Sequence, residues 1–324
     1  LAAAAAAAIF SIVYGTVTTL TTTGLTLGGN PVPIAVLPDG KYLVSDSFNS
    51  RFVTVTPSGT VSAVASSGGY AYFNILNANA SIVYYNNLNS QIINKMTYPG
   101  GVSTVFAGGG VGTGTTSTTD GNGTTASFNQ IRALCLLSDG NFLISDQFGQ
   151  MLRLGKPNGD ITTFAGAAGV SGFVDAQGTN ARFNAILGMT LSPDGTFLYL
   201  FDSASIRKIT YPEGVVTTIV GTPPTRANGN VDGGPTIARL QLECYSGAFL
   251  PNGNCVFMDQ RNKTIRMVTP AGFVTTLAGQ AGISGNDDGT GTNATYTSQY
   301  IQKLISIGPT TILFGTDSFL RIIT

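Results

Sequence analysis

Short apolar runs alternate along the whole chain with breaks rich in Gly, Asn and Asp, the pattern of strands separated by tight turns. One phrase recurs: a Gly, a hydrophobic-Thr-Thr-hydrophobic run, then often Ala-Gly. It reads Gly272-Phe273-Val274-Thr275-Thr276-Leu277-Ala278-Gly279, Gly159-Asp160-Ile161-Thr162-Thr163-Phe164-Ala165-Gly166 and Gly214-Val215-Val216-Thr217-Thr218-Ile219-Val220-Gly221. Looser copies follow Gly59 and Gly100, and a sixth stands near the start as Gly15-Thr16-Val17-Thr18-Thr19-Leu20.

A second phrase precedes five of these copies: a strand, an Asp-Gly-like turn, a strand ending in Asp, and a third strand. Residues 34–46 carry it around Asp39-Gly40, with further versions around Asp139-Gly140, Asp194-Gly195 and Asn252-Gly253. Such dipeptides between apolar alternations predict tight hairpins, with both central residues expected at positive φ. Read as a two-residue turn, Asn252-Gly253 places Cys255 opposite Leu250, so a cross-strand Cys244–Cys255 bridge does not follow. With Cys135 the cysteines are an odd set, allowing one disulfide at most.

The last segment, Thr311 to Thr324, stops after its third strand, and the orphan fourth strand is the Gly15–Leu20 copy. Joining them removes the open sheet edge. The chain therefore reads as all-β: a six-bladed β-propeller of four-stranded blades over 15–324, its last blade built from 300–324 plus 15–23. An Ala-rich arm, 1–14, lies outside the ring.

The Asp-Gly hairpin, the strand-end Asp, third strands such as Ile265-Arg266-Met267-Val268-Thr269-Pro270 and the Val-Thr-Thr-Leu-Ala-Gly fourth strand resemble NHL repeats. So do the connections Asp120-Gly121 to Ala126-Ser127-Phe128, and Asp175 to Ala181-Arg182-Phe183. The resemblance covers essentially 15–324 and implies a propeller, with many roles open to it. The second blade departs most, with Asn86 in place of the Asp and Asn77 to Ser81 in place of the usual turn.

Composition narrows the function. Gly numbers 42 and charged residues only 10%, with Lys plus Arg equal to Asp plus Glu at 16 each. So little charge builds no basic face for phosphates, and a nucleic-acid partner is not expected. No segment has the length of apolar residues needed to span a membrane; Ala2 to Val13 resembles the end of a signal peptide or a low-complexity arm that adds a strand to a neighbouring copy.

Four sequons, at Asn79, Asn122, Asn262 and Asn293, each fall in an expected turn or loop, where a glycan projects into water. The strand-end acids Asp46, Asp146, Asp202, Asp259 and Asp317 recur once per blade and are expected to cap backbone amides, not to gather a metal. The loops Asn286-Asp287-Asp288-Gly289-Thr290-Gly291 and Val231-Asp232-Gly233-Gly234 lack the ligand spacing of a helix-flanked calcium site and read as connections. The chain has no His, which removes a Ser-His-Asp triad and imidazole-ligated zinc. No catalytic residue, metal or cofactor is expected.

These features predict a secreted or cell-surface glycosylated propeller, a structural or adhesive module able to repeat in a surface assembly or fibre. Its expected partners are copies of itself or other extracellular proteins and glycans. The alternative is a monomeric propeller that binds a peptide, protein or glycan on one face. Behind both stands a lactonase or lyase using a carboxylate-held metal.

Overall fold

A computed structural model describes residues 15–29, 31–69, 71–77, 79–87, 91–99, 101–109, 118–221, 228–241, 243–296, 303–316 and 319–324, apart from the side chains of residues 72, 73 and 87. The Ala-rich arm and Asp317 lie outside the described residues.

Six antiparallel sheets form six blades, each with four main strands. Blade 1 is Pro31–Val36, Tyr42–Asp46, Arg51–Val55 and Thr60–Ser66; blade 2 is Ala71–Leu76, Ile82–Asn87, Ile92–Thr97 and Ser103–Gly108. Blade 3 is Ile131–Leu136, Phe142–Asp146, Met151–Gly155 and Asp160–Gly166; blade 4 is Ile186–Leu191, Phe197–Asp202, Ser205–Thr210 and Val216–Val220. Blade 5 is Gly247–Phe249, Cys255–Asp259, Thr264–Val268 and Val274–Ala278. Blade 6 takes Leu304–Ser306, Ile312–Thr316 and Phe319–Ile323 from the end of the chain and Thr16–Leu20 from its beginning. The first strands of successive blades neighbour one another in cyclic order, blade 6 returning to blade 1.

The closure pairs the expected segments, with Val17 opposite Ile323 and Leu20 opposite Leu320. Gly15 N–H also donates to Leu277 O of blade 5 at 3.0 Å, so the first residues of the ring bind two blades.

Each seam between blades holds its own apolar cluster. Phe128, Ile131 and Phe142 of blade 3 and its connector meet Tyr84 and Phe106 of blade 2 in one of them. At the closing seam Val44 and Val53 meet Leu313 and Leu320. The burial follows the place of each strand in its blade: second strands are covered on both faces, while an outer strand such as Val274–Ala278 is buried at its ends and only half-buried between.

The Thr-Thr-hydrophobic-Ala-Gly phrase encodes a β-bulge. In blade 3 Arg153 faces Thr163 while Leu152 faces Ala165, so Phe164 is the extra residue; Ile219 and Leu277 stand likewise in blades 4 and 5. A bulge bends the outer strand and adds twist, which a propeller blade needs.

Three of the four hairpins differ from expectation by one residue, and the fourth, around Asp194-Gly195, keeps its register but closes four residues between Ser192 and Phe197. Leu37 and Lys41 close a three-residue loop, as do Leu137 and Asn141, and Leu250 and Asn254. Only the glycines take positive φ, +79° at Gly40, +86° at Gly140 and +83° at Gly253. The preceding Pro38, Ser138 or Pro251 suits a type I turn, and the glycine then bulges. Asp39, Asp139 and Asn252 accept from the N–H two residues on, at 3.2, 3.0 and 3.0 Å. Cys255 consequently faces Phe249, not Leu250, and all three cysteines are free thiols.

Candidate functional site

The strand-end acids do not converge on an axis. Asp46, Asp146 and Asp202 pair with the first residues of the inner strands, where each blade receives its connector. All four described members are buried. Among the described residues, no three His, Cys, Asp or Glu side chains are grouped as metal ligands would be.

Each acid is saturated by its own joint. Asp202 accepts from the backbone N–H groups of Asn184 and Ala185 at 3.0 and 2.8 Å, and Arg207 Nη1 lies 3.2 Å away. Asp259 accepts from Gln241 N–H at 3.2 Å, Asn262 Nδ2 at 2.8 Å and Arg266 Nη1 at 2.9 Å. Asp146 accepts from Asn129 and Gln130 at 2.9 and 3.0 Å, with Arg153 Nη1 at 3.6 Å. Burial pushes these three carboxyls up, against the pull of the amides and guanidinium groups.

The arginine is the hub. Arg153, Arg207, Arg266 and Arg321 are fully buried, one in each third strand of blades 3 to 6. In blade 4, Arg207 Nη1 donates to Arg182 O at 2.8 Å, and Nη2 donates to Val174 O at 2.8 Å and to Asp175 at 2.6 Å. Asp175 in turn accepts from Thr218 N–H at 2.8 Å and Thr218 Oγ1 at 3.0 Å. The same set recurs as Arg266, Asp232 and Thr276 in blade 5. At the ring closure it is Arg321, Asp288 and Thr19, drawn from three distant parts of the chain. Aromatic faces complete it, with Arg207 4.3 Å from the ring centre of Phe173 and Arg321 5.2 Å from that of Tyr296.

These latches account for the acidic loops. Asp232 and Asp288 each hold an arginine and a threonine of the outer strand. Burial opposes ionisation of Asp288, yet the bonds from Thr19 and Arg321 hold its carboxyl below the usual range.

Blades 1 and 2 lack the latch. Val53 and Asn94 stand where the arginine stands elsewhere, each opposite the middle of the second strand. In blade 1 Asp46 is reached instead by the partly exposed Arg51, Nε to Oδ2 at 2.7 Å. Blade 2 has the buried Asn86, whose Nδ2 donates to Ile92 O at 3.1 Å. The seam between them uses neutral groups: Ser45 and Ser47 hydroxyls donate to Ala71 O at 2.6 and 2.8 Å.

The sequons divide. Asn79, Asn122 and Asn293 are exposed, in a turn, at the end of a two-residue strand and in a short 3-10 helix respectively. Asn122 Nδ2 donates to Asp160 at 2.7 Å and to Asn158 O at 3.4 Å, both at the exposed surface, where a glycan displaces them without opening a buried joint. Asn262 is 7% exposed, and its Nδ2 donates to both Gly229 O, at 2.7 Å, and Asp259, at 2.8 Å. A glycan on that nitrogen requires the joint to open, so Asn262 leaves the candidate set.

A cavity of about 410 Å³ occupies the central channel. Its wall is the inner strands, with Leu134, Met189, Phe249 and Ile305 among its apolar members. Lys303 is the one charged side chain among the described lining residues. It reaches across from blade 6 and donates to Asn74 O of blade 2 at 2.8 Å. Burial lowers its ammonium from 10.5 to about 8. Cys135, on blade 3, is pushed up to about 11 by burial, with the Lys303 charge opposing. Neither role has a signature along the chain, because only the closed ring brings positions 74, 135 and 303 to one axis.

No family model matches the chain, and no curated protein matches it. Solved structures do. An auxiliary nutrient binding protein from Bacteroides thetaiotaomicron is similar at 16% identity and a TM-score of 0.67, over 96% of this chain and 76% of that one. A gluconolactonase from Xanthomonas campestris is similar at 12% identity and a TM-score of 0.59, over 95% and 89%. Virginiamycin B lyase from Staphylococcus aureus is similar at 12% identity and a TM-score of 0.58, over 96% and 99%. Identities this low show the propeller fold alone.

Proposed function

We propose that this chain is an extracellular, glycosylated propeller of NHL type that acts as a structural or adhesive module. The observation that carries this reading is where the ionisable groups are spent. The buried acids and arginines bind one another and the blade connectors, and no carboxylate appears among the described residues of the channel wall. Carboxylate-metal lactonase or lyase chemistry finds no support in that wall. The exposed polar groups include the sequon amides of Asn79, Asn122 and Asn293.

Copies of the chain or other extracellular proteins and glycans are its proposed partners. The arm at 1–14 is the proposed element of self-assembly. Intact-mass measurement of the secreted protein before and after glycosidase treatment tests the reading, and electron microscopy with and without residues 1–10 tests the assembly. A loss of mass and a loss of assemblies are expected. No change in mass on native material argues against a glycosylated module.

The channel cavity favours a second reading, a binding propeller. The Bacteroides neighbours described as nutrient binding proteins share the fold in keeping with it.

A further inference from the structure

We propose that the channel is a binding site for an amphiphile with a single carboxylate head and an apolar body, anchored by Lys303. This goes beyond the structural and adhesive reading and does not rest on it.

The cavity, about 410 Å³, lies in the size range of small-molecule pockets, roughly 300–1,000 Å³. Its only charged group among the described residues is one ammonium, and no described carboxylate pairs with it. An ammonium has three donors, and Asn74 O takes one of them. A half-buried charge without a counter-ion is costly, and an anion that enters the channel and displaces water beside it interacts with it more strongly than in bulk solvent. Lys303 therefore asks for an anion, and asks for one negative charge only. A phosphate monoester carries about −1.5 to −2 and would remain partly unpaired. Cys135 faces the ammonium from blade 3, and burial keeps its thiol neutral at physiological pH.

The walls specify the remainder. Lys303 precedes the inner strand of blade 6, whereas Leu76, Leu136, Leu191 and Phe249 sit at the far ends of the inner strands, beside the hairpins. A head bound at Lys303 thus directs its body along these apolar residues toward the hairpin face. Burial of such a body is favourable at about 25 cal/mol per Å².

Calorimetric titration of the full chain with sodium octanoate, 1-octanol and inorganic phosphate tests the proposal. The expected result is one octanoate bound per chain, about tenfold or more tighter than octanol, with phosphate weaker than octanoate. Lys303→Met should erase the preference while leaving octanol binding unchanged. Ala35→Phe, which narrows the channel at blade 1, should weaken both ligands, with a thermal unfolding scan confirming that the variant is folded. Equal binding of octanoate and octanol to the native chain overturns the proposal. So do retention of the preference in Lys303→Met, phosphate binding as tight as octanoate, and no octanoate binding at all. If Ala35→Phe does not fold, Lys303→Met decides alone, since it removes an unpaired charge.

Discussion

The ring buries positive charge in two places, and treats it in opposite ways. In blades 3 to 6 four arginines are each met by two acids or an acid and backbone carbonyls, with both ends of the guanidinium fork occupied. In the channel one lysine has a single carbonyl for a partner. The first arrangement is a joint: it ties a connector, a third strand and an outer strand together, and at the closing seam it ties the two ends of the ring. The second makes one bond across the channel, from blade 6 to Asn74 O of blade 2, and leaves the rest of the ammonium toward the cavity. A planar fork in a preformed cage of acceptors is structural, while a flexible ammonium beside a cavity is available to a ligand.

The largest effect should come from opening a latch. Arg207→Ala leaves Asp202 and two backbone carbonyls buried without their donor, a loss of about 3–5 kcal/mol in urea unfolding. Arg207→Lys should recover little, because a point charge cannot serve acceptors at both ends of the fork. The same test on the partly exposed Arg51 of blade 1 should cost about 1 kcal/mol. Equal losses at Arg51 and Arg207 would remove the distinction between latched and unlatched blades.

Next in size is a change of opposite sign. Lys303→Met should stabilise the fold at pH 7 by about 2–3 kcal/mol, since the folded chain no longer holds an unpaired charge. The folded ammonium titrates at about 8 and the unfolded one near 10.5. Below about pH 8 the native protein carries the full cost. Between the two values the unfolded chain binds a proton that the folded chain lacks, so native stability rises with pH. The advantage of the variant should therefore shrink through that interval and vanish above it, as thermal unfolding at a series of pH values would record.

The smallest effect probes the periphery of a latch. Thr218→Val removes one hydroxyl bond to Asp175 and keeps the backbone bond. A loss of about 1 kcal/mol is expected, with Thr218→Ser near the native value.

The blade count and the closure were legible in the sequence because they depend on repetition and on strand period, which local residues carry. That the strand-end acids cap amides was legible for the same reason, but the amides expected were those of each acid's own turn, whereas Asp202 caps Asn184 and Ala185 of the incoming connector. Their arginine partners were visible as a motif but not as partners, since Arg207 lies 33 residues from Val174 and the bond exists only once the connector folds back. The register slipped by one at three hairpins, where the loop takes in the residue before the Asp-Gly or Asn-Gly pair, and stayed in place at Asp194-Gly195, where it takes in both Pro193 and Thr196, a difference the dipeptide alone does not show. Asn262 fits a glycosylation motif in sequence, yet its amide spans Gly229 and Asp259 in space. Lys303 carries no sequence signature, and its meaning comes wholly from the five other blades that surround it.

The contrast between paired and unpaired buried charge rests most directly on the titration of that lysine. The chain has six lysines, and side-chain NMR can follow each of them through alkaline pH. One resonance should titrate near 8, and it should be missing from the spectrum of Lys303→Met. Six lysines that all titrate near the ordinary value of 10.5 would contradict the account, because the channel would then hold a solvated or paired ammonium.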